Sequence, residues 1–486
     1  MYMKLIIYLI LLFHIFLEKK CNCTNLNVVA FSYTESTQVF TVVVNKFNEY
    51  ARKNNIDINL KIELYTENNS TSVVDDFGST IELLLKKNKN KYDLYFYDNM
   101  YSPRYSSYLV DLRDWLPEEH IAMYSSGIAS ESCTYKGKWV GLPLTTEYVV
   151  LYSNTGLLNK YEKEIPKTWD ELIETGKFIL ENERKNGNID LIGYNGLFPE
   201  QEAAIMSARE FIYSFRKTKD SPYPKYTDQE AIDALNKIKE VKNALSSDEI
   251  FKMNEVNTVI NLFSGNALFL RFFDLPIANP VYNKTILVGN KEGVSASSLG
   301  GSNIGINRAI SNTKKKDAAK VLEFFTSFET QKYLVTKHFL ASGIKSLYDD
   351  EDVCKIVNCE LIKNIQFIAR PSSLTNNYNE YSTTFRNYLY EFLYGDKNAE
   401  EVLKKINDIT KIYKISIKLS HSSSGLIIFI INISTIIILL LSLIFIFIEK
   451  YKKYFKFYSK DLWIIIFVGF ILNLCFIFLD YGEGLH

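Results

Sequence analysis

An uncharged run of 24 residues near the end of the chain constrains its fold more than any other feature. The residues from Gly425 to Ile448 include no Asp, Glu, Lys or Arg. At about 1.5 Å of rise per residue, a helix of this length reaches about 36 Å, which crosses the hydrocarbon core of a bilayer with some tilt. The run therefore predicts a transmembrane helix.

A second apolar stretch follows after a short basic segment. Residues 449–461 carry five lysines, and residues 462–479 are again apolar. A basic loop between two membrane spans lies in the cytoplasm by the positive-inside rule. We therefore expect two transmembrane helices, 425–448 and 462–479, with the bilayer as a partner. Residues 24–421 and the short end 480–486 then lie outside the cell.

The N-terminus indicates export. Residues 1–23 contain one early lysine, an apolar run and a charged segment, the pattern of a secretory signal peptide. Charged residues directly before Cys21 argue against a lipoprotein signal. We expect a plasma-membrane protein whose large N-terminal part is extracellular. Acceptor triplets for N-glycosylation, which also arise by chance in an Asn-rich chain, lie at Asn68, Asn69 and Asn283.

The composition excludes several classes of partner. Lys and Arg together number 56, as do Asp and Glu, so no net charge attracts a nucleic acid. The cysteines and histidines show no metal-ligand spacing, so we expect neither a metal nor another cofactor. Cys354 and Cys359 can form a local disulfide in an oxidising compartment, and two free buried thiols are the alternative.

Strands alternate with helices over the first hundred residues. The pattern predicts strands at Asn27–Tyr33, at INLKIELY and at Tyr92–Asp98, with helices between them at Gln38–Asn54 and FGSTIELLLKK. This order favours an open, largely parallel α/β sheet, in which ligands bind beyond the carboxyl ends of the strands. The rule places Tyr33, Glu35 and Ser36 at one binding loop and Asp98, Asn99, Tyr101 and Arg104 at another.

The rest of the exported part is rich in helix. TWDELIETGKFILENERK is a helix after a turn, and helical periodicity continues through FKMNEVNTVINLFSGNALFLRFF. A final amphipathic helix is expected at Ala399–Lys418. About 400 residues exceed one ordinary core and indicate two domains.

The stretch GLPLTTEYVVLYSN, which begins at Gly141, interrupts an apolar strand with four polar or phenolic residues, Thr145 to Tyr148. A carboxylate among apolar strand residues must either be paired or face water. We favour a wet cleft for the carboxylate of Glu147.

Seven segments resemble, in order, those of the extracellular solute-binding proteins of the maltose-binding type. They are YDLYFYDN, LVDLRDWL, YKGKWVGLPLTTEYVVLYSNTGLL, IPKTWDELIETGK, FSGNALFLRFF, LGGSNIGINRAISNTKKKDAAKVLEFFTSFETQKYL and ARPSS. The resemblance implies a bilobed α/β fold of the periplasmic-binding-protein type II, with the ligand between the lobes. It implies a first lobe at about 24–145 and 302–348, and a second at about 148–298 and 350–415. Thr145 to Tyr148 would then cross the hinge.

The resemblance also implies a small solute, with a sugar or oligosaccharide as the expected ligand. Carboxylates, amides and guanidinium groups bind hydroxyls, and aromatic rings stack on sugar C–H faces. Glu200 and Glu202 have a second interpretation as favourable charges at a helix N-terminus, and Arg104 as a solvated loop charge. The expected ligand-binding residues are Tyr33, Glu35, Ser36, Asp98, Asn99, Tyr101, Arg104, Thr146, Glu147, Tyr148, Glu200, Glu202, Arg271, Gly300, Gly301, Tyr378 and Tyr381.

The C-terminal segment, through FYSKDLWIIIFVGFILN, resembles the start of the membrane domain of class C G protein-coupled receptors. This implies a ligand-sensing ectodomain, with a G protein as partner if seven spans exist. The sequence departs from that pattern because it has no cysteine-rich connector and only two spans, so a truncated copy is also open. The alternative is a non-signalling tethered capture protein that delivers a solute to a transporter.

An enzyme is the third possibility. Asp98 and Glu147 could form the carboxylate pair of a glycosidase, whose separation the sequence does not give. The chain has no nucleophile motif such as Gly-x-Ser-x-Gly, and the resemblance is to non-catalytic binders. We therefore expect a binding protein without catalytic activity.

Overall fold

A computed structural model describes most of the chain, in eight stretches. The predicted signal peptide and the loop of Tyr33, Glu35 and Ser36 lie outside the described residues, as do Asn68 and Asn69. The chain divides into two compact units, Met1–Ile406 and Asn407–His486. The described residues are 23–32, 39–66, 74–87, 90–125, 129–276, 279–375, 377–409 and 423–481.

The first unit is built from short strands and longer helices. In chain order the strands are β1 (Thr24–Ser32), β2 (Ile58–Thr66), β3 (Leu94–Asp98), β4 (Thr134–Tyr135), β5 (Lys138–Trp139), β6 (Leu142–Pro143), β7 (Val149–Asn154), β8 (Ile192–Asn195), β9 (Ala267–Phe273), β10 (Tyr282–Thr285), β11 (Ser297–Ser298), β12 (Ser302–Ile306) and β13 (Phe367–Ile368).

The α-helices, including two of the second unit, cover both sheets and the C-terminal segment. They are α1 (Val39–Lys53), α2 (Val74–Lys87), α3 (Ser102–Tyr105), α4 (Glu118–Ser125), α5 (Ala129–Cys133), α6 (Thr155–Lys160), α7 (Trp169–Lys185), α8 (Ala203–Ser214), α9 (Gln229–Leu245), α10 (Asp248–Phe251), α11 (Glu255–Ser264), α12 (Asn312–Phe325), α13 (Phe328–His338), α14 (Glu351–Cys354), α15 (Cys359–Asn364), α16 (Tyr378–Leu393), α17 (Ala399–Asp408), α18 (Ser423–Ser442) and α19 (Lys460–Phe476).

The first sheet has the strand order β2-β1-β3-β12-β6. β1 runs parallel to both β2 and β3, as the alternating pattern predicts. The prediction of a largely parallel sheet is wrong for the other side, because β12 is antiparallel to β3 and β6. β3 ends at Asp98, where β12 begins at Ser302 after crossing from the other lobe. The returning strand must therefore run in the opposite direction.

Helix α1 shows how the first lobe is held together. It buries Phe40, Val43 and Phe47 at helical spacing. The ring of Phe47 packs 5.4 Å from that of Phe324 in α12, measured between centroids. Each such buried side chain contributes about 1.5–3 kcal/mol of hydrophobic stabilisation. The first and last helical segments of this lobe thus share one core.

The second sheet has the strand order β10-β7-β9-β8. β7 is antiparallel to both of its neighbours, and β8 runs parallel to β9. The helical prediction for ALFLRFF is wrong, because α11 ends at Gly265 in a left-handed conformation with φ 70° and β9 follows. On the edge strand β10, Asn283 is exposed, and its glycosylation stays a prediction.

Three chain crossings join the lobes. In the first, Glu147 exchanges two backbone hydrogen bonds, of 3.1 and 2.9 Å, with Gly300 of the second. The third crossing leads into β13, which pairs with β11. Gly301 adopts φ 113°, and a Cβ there would lie 2.2 Å from the backbone oxygen of Thr145. Only glycine fits this close approach.

The segment before the third crossing belongs to the first lobe. Lys332 of α13 forms an ion pair of 2.7 Å with Asp350. A disulfide joins Cys354 to Cys359 directly after it. The structure therefore carries the first lobe past the predicted boundary at residue 348, to the end of α15.

The C-terminal unit contains one helix long enough to cross a membrane. Ser424–Ile446 spans 23 residues with a mean hydropathy of 2.9. Helix α19 is apolar but has only 17 residues, about 25 Å, which is shorter than a bilayer core of about 30 Å. Asn432 donates a hydrogen bond of 3.1 Å to the carbonyl oxygen of Leu474 and so joins the two helices. The second span stays a prediction.

Gly301→Ala is expected to destabilise the protein more than Gly137→Ala. Both glycines have positive φ, but nothing lies within 4 Å of a Cβ at Gly137. The control should cost about 1–2 kcal/mol for its left-handed backbone. At Gly301 the clash with Thr145 should add about 2 kcal/mol or more. Thermal unfolding of the two variants checks this difference, and equal losses would contradict the tight crossing.

Candidate ligand-binding cleft

Strand ends and hinge crossings bring polar groups together at one edge of the first sheet. Asp98 is the last residue of β3 and lies opposite Ser302 in the register. The backbone N–H of Asn99 donates to the carbonyl oxygen of Gly301 at 3.1 Å. Because Gly300 pairs with Glu147, the first strand-end loop and the hinge meet at one place.

Glu147 differs from its neighbours in the first crossing. Thr145, Thr146 and Tyr148 are buried, whereas the side chain of Glu147 is exposed. A Cβ at Gly300 would lie 3.1 Å from Oε2 of Glu147, so the glycine makes room for this carboxylate. Within the described residues, the carboxylate accepts no hydrogen bond. Glu147 therefore presents free acceptor oxygens to water.

The electrostatic surroundings of Glu147 are those of a narrow cleft. Burial raises its pKa to about 7, and the negative charge of Asp98 acts in the same direction. Arg370 opposes the shift, and Glu255 adds to it. Water reaches the side chain while protein surrounds it at longer range, so both observations describe one deep, wet position.

Arg370 enters the cleft from the second lobe. It follows β13, and its guanidinium donates to the carboxylate of Asp98 and to Oδ1 of Asn99, the latter at 2.7 Å. The Arg370 side chain is 8% exposed and that of Asp98 is 32% exposed. Asp98 also caps the next turn by accepting from the N–H of Met100 at 3.0 Å. A single ion pair therefore links the two lobes.

Glu202 faces the same arginine from the start of α8. Its carboxylate accepts from the hydroxyl of Tyr378 and, at 2.6 Å, from that of Ser382, both in α16. Burial raises the pKa of Glu202, and Arg370 and the two hydroxyls oppose that shift. Helix α16 thus fixes the carboxylate in place.

The cleft carries more negative than positive charge. Four carboxylates act on one another or on Arg370 here, those of Asp98, Glu147, Glu202 and Glu255. Glu255 lies in the first turn of α11, and burial raises its pKa as well. Such a site favours a ligand with many hydrogen-bond donors or a positive charge and disfavours anions.

Two predicted residues of the first lobe are used within that lobe. Arg104 forms an ion pair of 2.6 Å with Glu82 of α2. Tyr101 is 1% exposed, and a Cβ at Gly78 would lie 2.4 Å from its ring. In the structure the arginine is a partly exposed ion-pairing group and the tyrosine is a packing residue.

Arg271 lies in the interior of the second lobe. Its guanidinium forms a two-pronged ion pair with Glu210 of α8, at 2.9 and 2.8 Å, and both side chains are almost fully buried. Glu210 also accepts from the backbone N–H of Ser298 at 2.8 Å. The pair joins α8, β9 and the start of the second crossing, so a structural role accounts for this arginine.

Three further tyrosines and one glutamate complete the predicted set. The hydroxyl of Tyr148 donates to Asp274 at 2.6 Å. The hydroxyls of Tyr381 and Tyr226 are hydrogen-bonded at 3.3 Å. Glu200 is exposed, outside the group of carboxylates around Arg370. The structure therefore brings together Asp98, Asn99, Glu147, Glu202, Gly300, Gly301 and Tyr378.

Sequence reasoning missed Arg370, Ser382 and Glu255 as site residues. Arg370 stands in ARPSS directly after β13, so the strand-end rule that selected Asp98 could have found it. Glu255 follows Asn254, which caps α11 by accepting from the N–H of Asn257 at 3.0 Å. Helix-start signals of this kind identify a position but not the cleft that it faces.

Comparison with known families identifies the fold. Residues 47–357 match the family described as "Bacterial extracellular solute-binding protein". This chain belongs to that family. A "Probable ABC transporter-binding protein" of Deinococcus radiodurans is 28% identical over 320 residues, which cover 62% of this chain and 75% of the relative. The family assignment made from the sequence is confirmed.

Solved structures have the same bilobed architecture. Maltose-bound MalE3 of T. maritima has a TM-score of 0.64 at 21% identity, over 79% of this chain and 98% of that one. The cyclic α-maltosyl-1,6-maltose binding protein of Arthrobacter globiformis has a TM-score of 0.62 at 16% identity, over 80% and 99%. At these identities the likeness establishes the fold, which confirms the predicted bilobed α/β class.

The prediction of a class C receptor is not supported by these comparisons. The family match covers residues 47–357, all within the first unit. The family is one of extracellular solute-binding proteins, and the relative is named for an ABC transporter. The chain is therefore an extracellular solute-binding protein.

Glu147→Gln is expected to alter how stability depends on pH. The pKa of Glu147 rises from 4.5 to about 7 in the folded protein, so folding retains a proton between these values. Stability from this group is complete below the lower value and is lost as the pH rises through the upper one. Because glutamine imitates the protonated form, the variant should unfold at a higher temperature than wild type at about pH 8 and at the same temperature near pH 4. An equal difference at both pH values would contradict the raised pKa.

Proposed function

We propose that this chain is a membrane-anchored capture protein that closes two lobes on a sugar or oligosaccharide and delivers it to an ABC-type transporter. The observation that carries the proposal is the placement of Glu147. Its carboxylate has no partner within the described residues and stands at the hinge, beside Asp98 of the first lobe. A ligand that bonds to these groups contacts the part of the chain that moves when the lobes close.

The chemistry of the cleft supports a polyhydroxylated ligand. Carboxylate oxygens accept hydroxyl donors with charge-assisted hydrogen bonds, and Asn99 adds an amide. The structurally similar proteins include ones bound to maltose and to α-D-tagatose. Phosphate esters fit poorly, because four carboxylates would repel them. These points favour a sugar over an anionic solute.

The excess of carboxylates also supports a second candidate, an amine-bearing ligand such as an amino sugar or a polyamine. A cation beside Glu147 and Glu202 would stabilise their ionised forms, against the burial that raises their pKa values. Binding of an amine should therefore release protons near neutral pH. A neutral sugar has no charge to couple in this way.

Delivery to a transporter fits the relatives better than signalling does. The relative from Deinococcus radiodurans is named as a transporter-binding protein. Helix 424–446 would tether the binding unit at the outer face of the plasma membrane, with the basic loop 449–461 inside. The receptor hypothesis, with a G protein as partner, is the less favoured alternative.

Thermal unfolding of the purified chain against a panel of sugars tests the proposal. A ligand at about 100 times its dissociation constant should add about 2.7 kcal/mol of stability. Glu147→Ala should abolish the shift, whereas Glu181→Ala, at an exposed carboxylate on α7, should retain it. No shift with any sugar would contradict the sugar assignment.

A matched pair of ligands separates the two candidates. Chitosan oligosaccharides carry amines that their N-acetylated forms lack. Calorimetric titration in buffers of different ionisation enthalpy should show no proton release with a neutral sugar such as maltotriose. Tighter binding of chitosan oligosaccharides than of the acetylated forms, with proton release, would establish the amine candidate instead.

Membrane fractionation tests the anchor. Deletion of residues 424–446 should move the protein into the soluble fraction if this helix is the main anchor. Deletion of α19 alone should leave it in the membrane, because 424–446 spans by itself. A chain that stays in the membrane after the first deletion would assign the anchor to another segment.

A further inference from the structure

One arginine side chain of the second lobe contacts three consecutive residues of the first. Arg370 donates to the carboxylate of Asp98 and to Oδ1 of Asn99, the latter at 2.7 Å. Its Nη1 also lies 3.2 Å from Sδ of Met100. These contacts end β3 on one side and begin after β13 on the other, so they cross the cleft between the lobes.

The Arg370–Asp98 ion pair stands apart from the other ion pairs. Within the described residues, every other ion pair joins groups of the same lobe or of the C-terminal unit. The Arg370 side chain is 8% exposed, and Asn99 is 6% exposed. A charged hydrogen bond shielded from water in this way is stronger than one at the surface. Its loss on lobe opening opposes that opening.

The bridge leaves acceptor oxygens free for a ligand. Glu147 is exposed, and Asp98 keeps 32% of its side chain exposed while it is bonded to Arg370. A ligand can therefore bond to these carboxylates without displacing the enclosed guanidinium. Arg370 also opposes the raised pKa values of Glu147 and Glu202, so its charge acts on both walls of the cleft.

We propose that Arg370 is the closure residue of this protein: it holds the lobes together before and after ligand binding and positions Asp98 and Asn99 for the ligand. The inference rests on the proposed function only in that the ligand lies in this cleft. It assigns the residue a positioning role in capture, distinct from the ligand contacts of Glu147.

The distance between the lobes tests this role without any ligand. Two nitroxide labels would be placed on the full chain in nanodiscs, at Lys53→Cys in the first lobe and Glu181→Cys in the second, both exposed positions. The exposed native cysteines, Cys23 and Cys475, would first be changed to serine. Pulsed electron–electron resonance then gives the distribution of distances between the lobes.

Arg370→Gln and Asp98→Asn should each lengthen and broaden this distribution, because they remove the same bond from opposite lobes. Arg104→Gln is the matched control, since Arg104 pairs with Glu82 inside the first lobe. Its distribution should equal that of wild type. If Arg370→Gln fails to fold, Asp98→Asn decides. Distributions for both variants that match the control would overturn the inference.

Affinity provides a second readout, with maltotriose as the probe. A less populated closed state lowers apparent affinity in proportion to its population, so Arg370→Gln should weaken binding about tenfold or more. Arg104→Gln should stay within about twofold of wild type. Unchanged or tighter binding by Arg370→Gln would overturn the inference. If wild type binds no maltotriose, the sugar assignment fails, and the distance measurement still decides the role of Arg370.

Discussion

The backbone bridge between Glu147 and Gly300 is the constraint on which the cleft depends. It ties two of the three chain crossings together with a pair of hydrogen bonds. The next residue, Gly301, passes so close to Thr145 that no side chain is possible there. The same glycine pair leaves room for the carboxylate of Glu147 above the hinge. Fold and site therefore depend on one short piece of backbone.

The charges of the cleft follow from this geometry. The hinge carboxylate stands beside Asp98 at the end of β3, and like charges in a partly desolvated place raise the cost of ionisation. Arg370 offsets part of that cost and spans the two lobes as it does so. In our account the residual negative charge selects ligands that donate hydrogen bonds. Ligand recognition and lobe closure then use the same few groups.

Local pattern was sufficient for much of the fold. The capping box of Thr168 and Glu171 marks the start of α7, and apolar spacing marks α1. The antiparallel direction of β12 could not be predicted locally, because it depends on a pairing with β3 some two hundred residues away in the chain. For the same reason β9 was mistaken for helix, since its burial comes from neighbouring strands rather than from its own sequence.

The site was predicted where its signal is local. Glu147 is conspicuous because it interrupts an apolar strand, and Asp98 because it follows one. Arg271 resembles a ligand-binding residue in sequence, yet its partner Glu210 lies 61 residues earlier and draws it into the interior. Arg370 acquires its role only when β13 pairs with β11. Long-range partners decide which charged side chains reach the cleft.

Hydrogen–deuterium exchange of the purified chain, with and without the sugar that stabilises it most, tests the central claim most directly. The account predicts slower exchange on ligand addition at the end of β3, at the crossings 144–149 and 299–302, and at the segment after β13. These are the segments that would contact the ligand or move on closure. Slower exchange confined to the surface between α7 and α9, with these four segments unchanged, would contradict it.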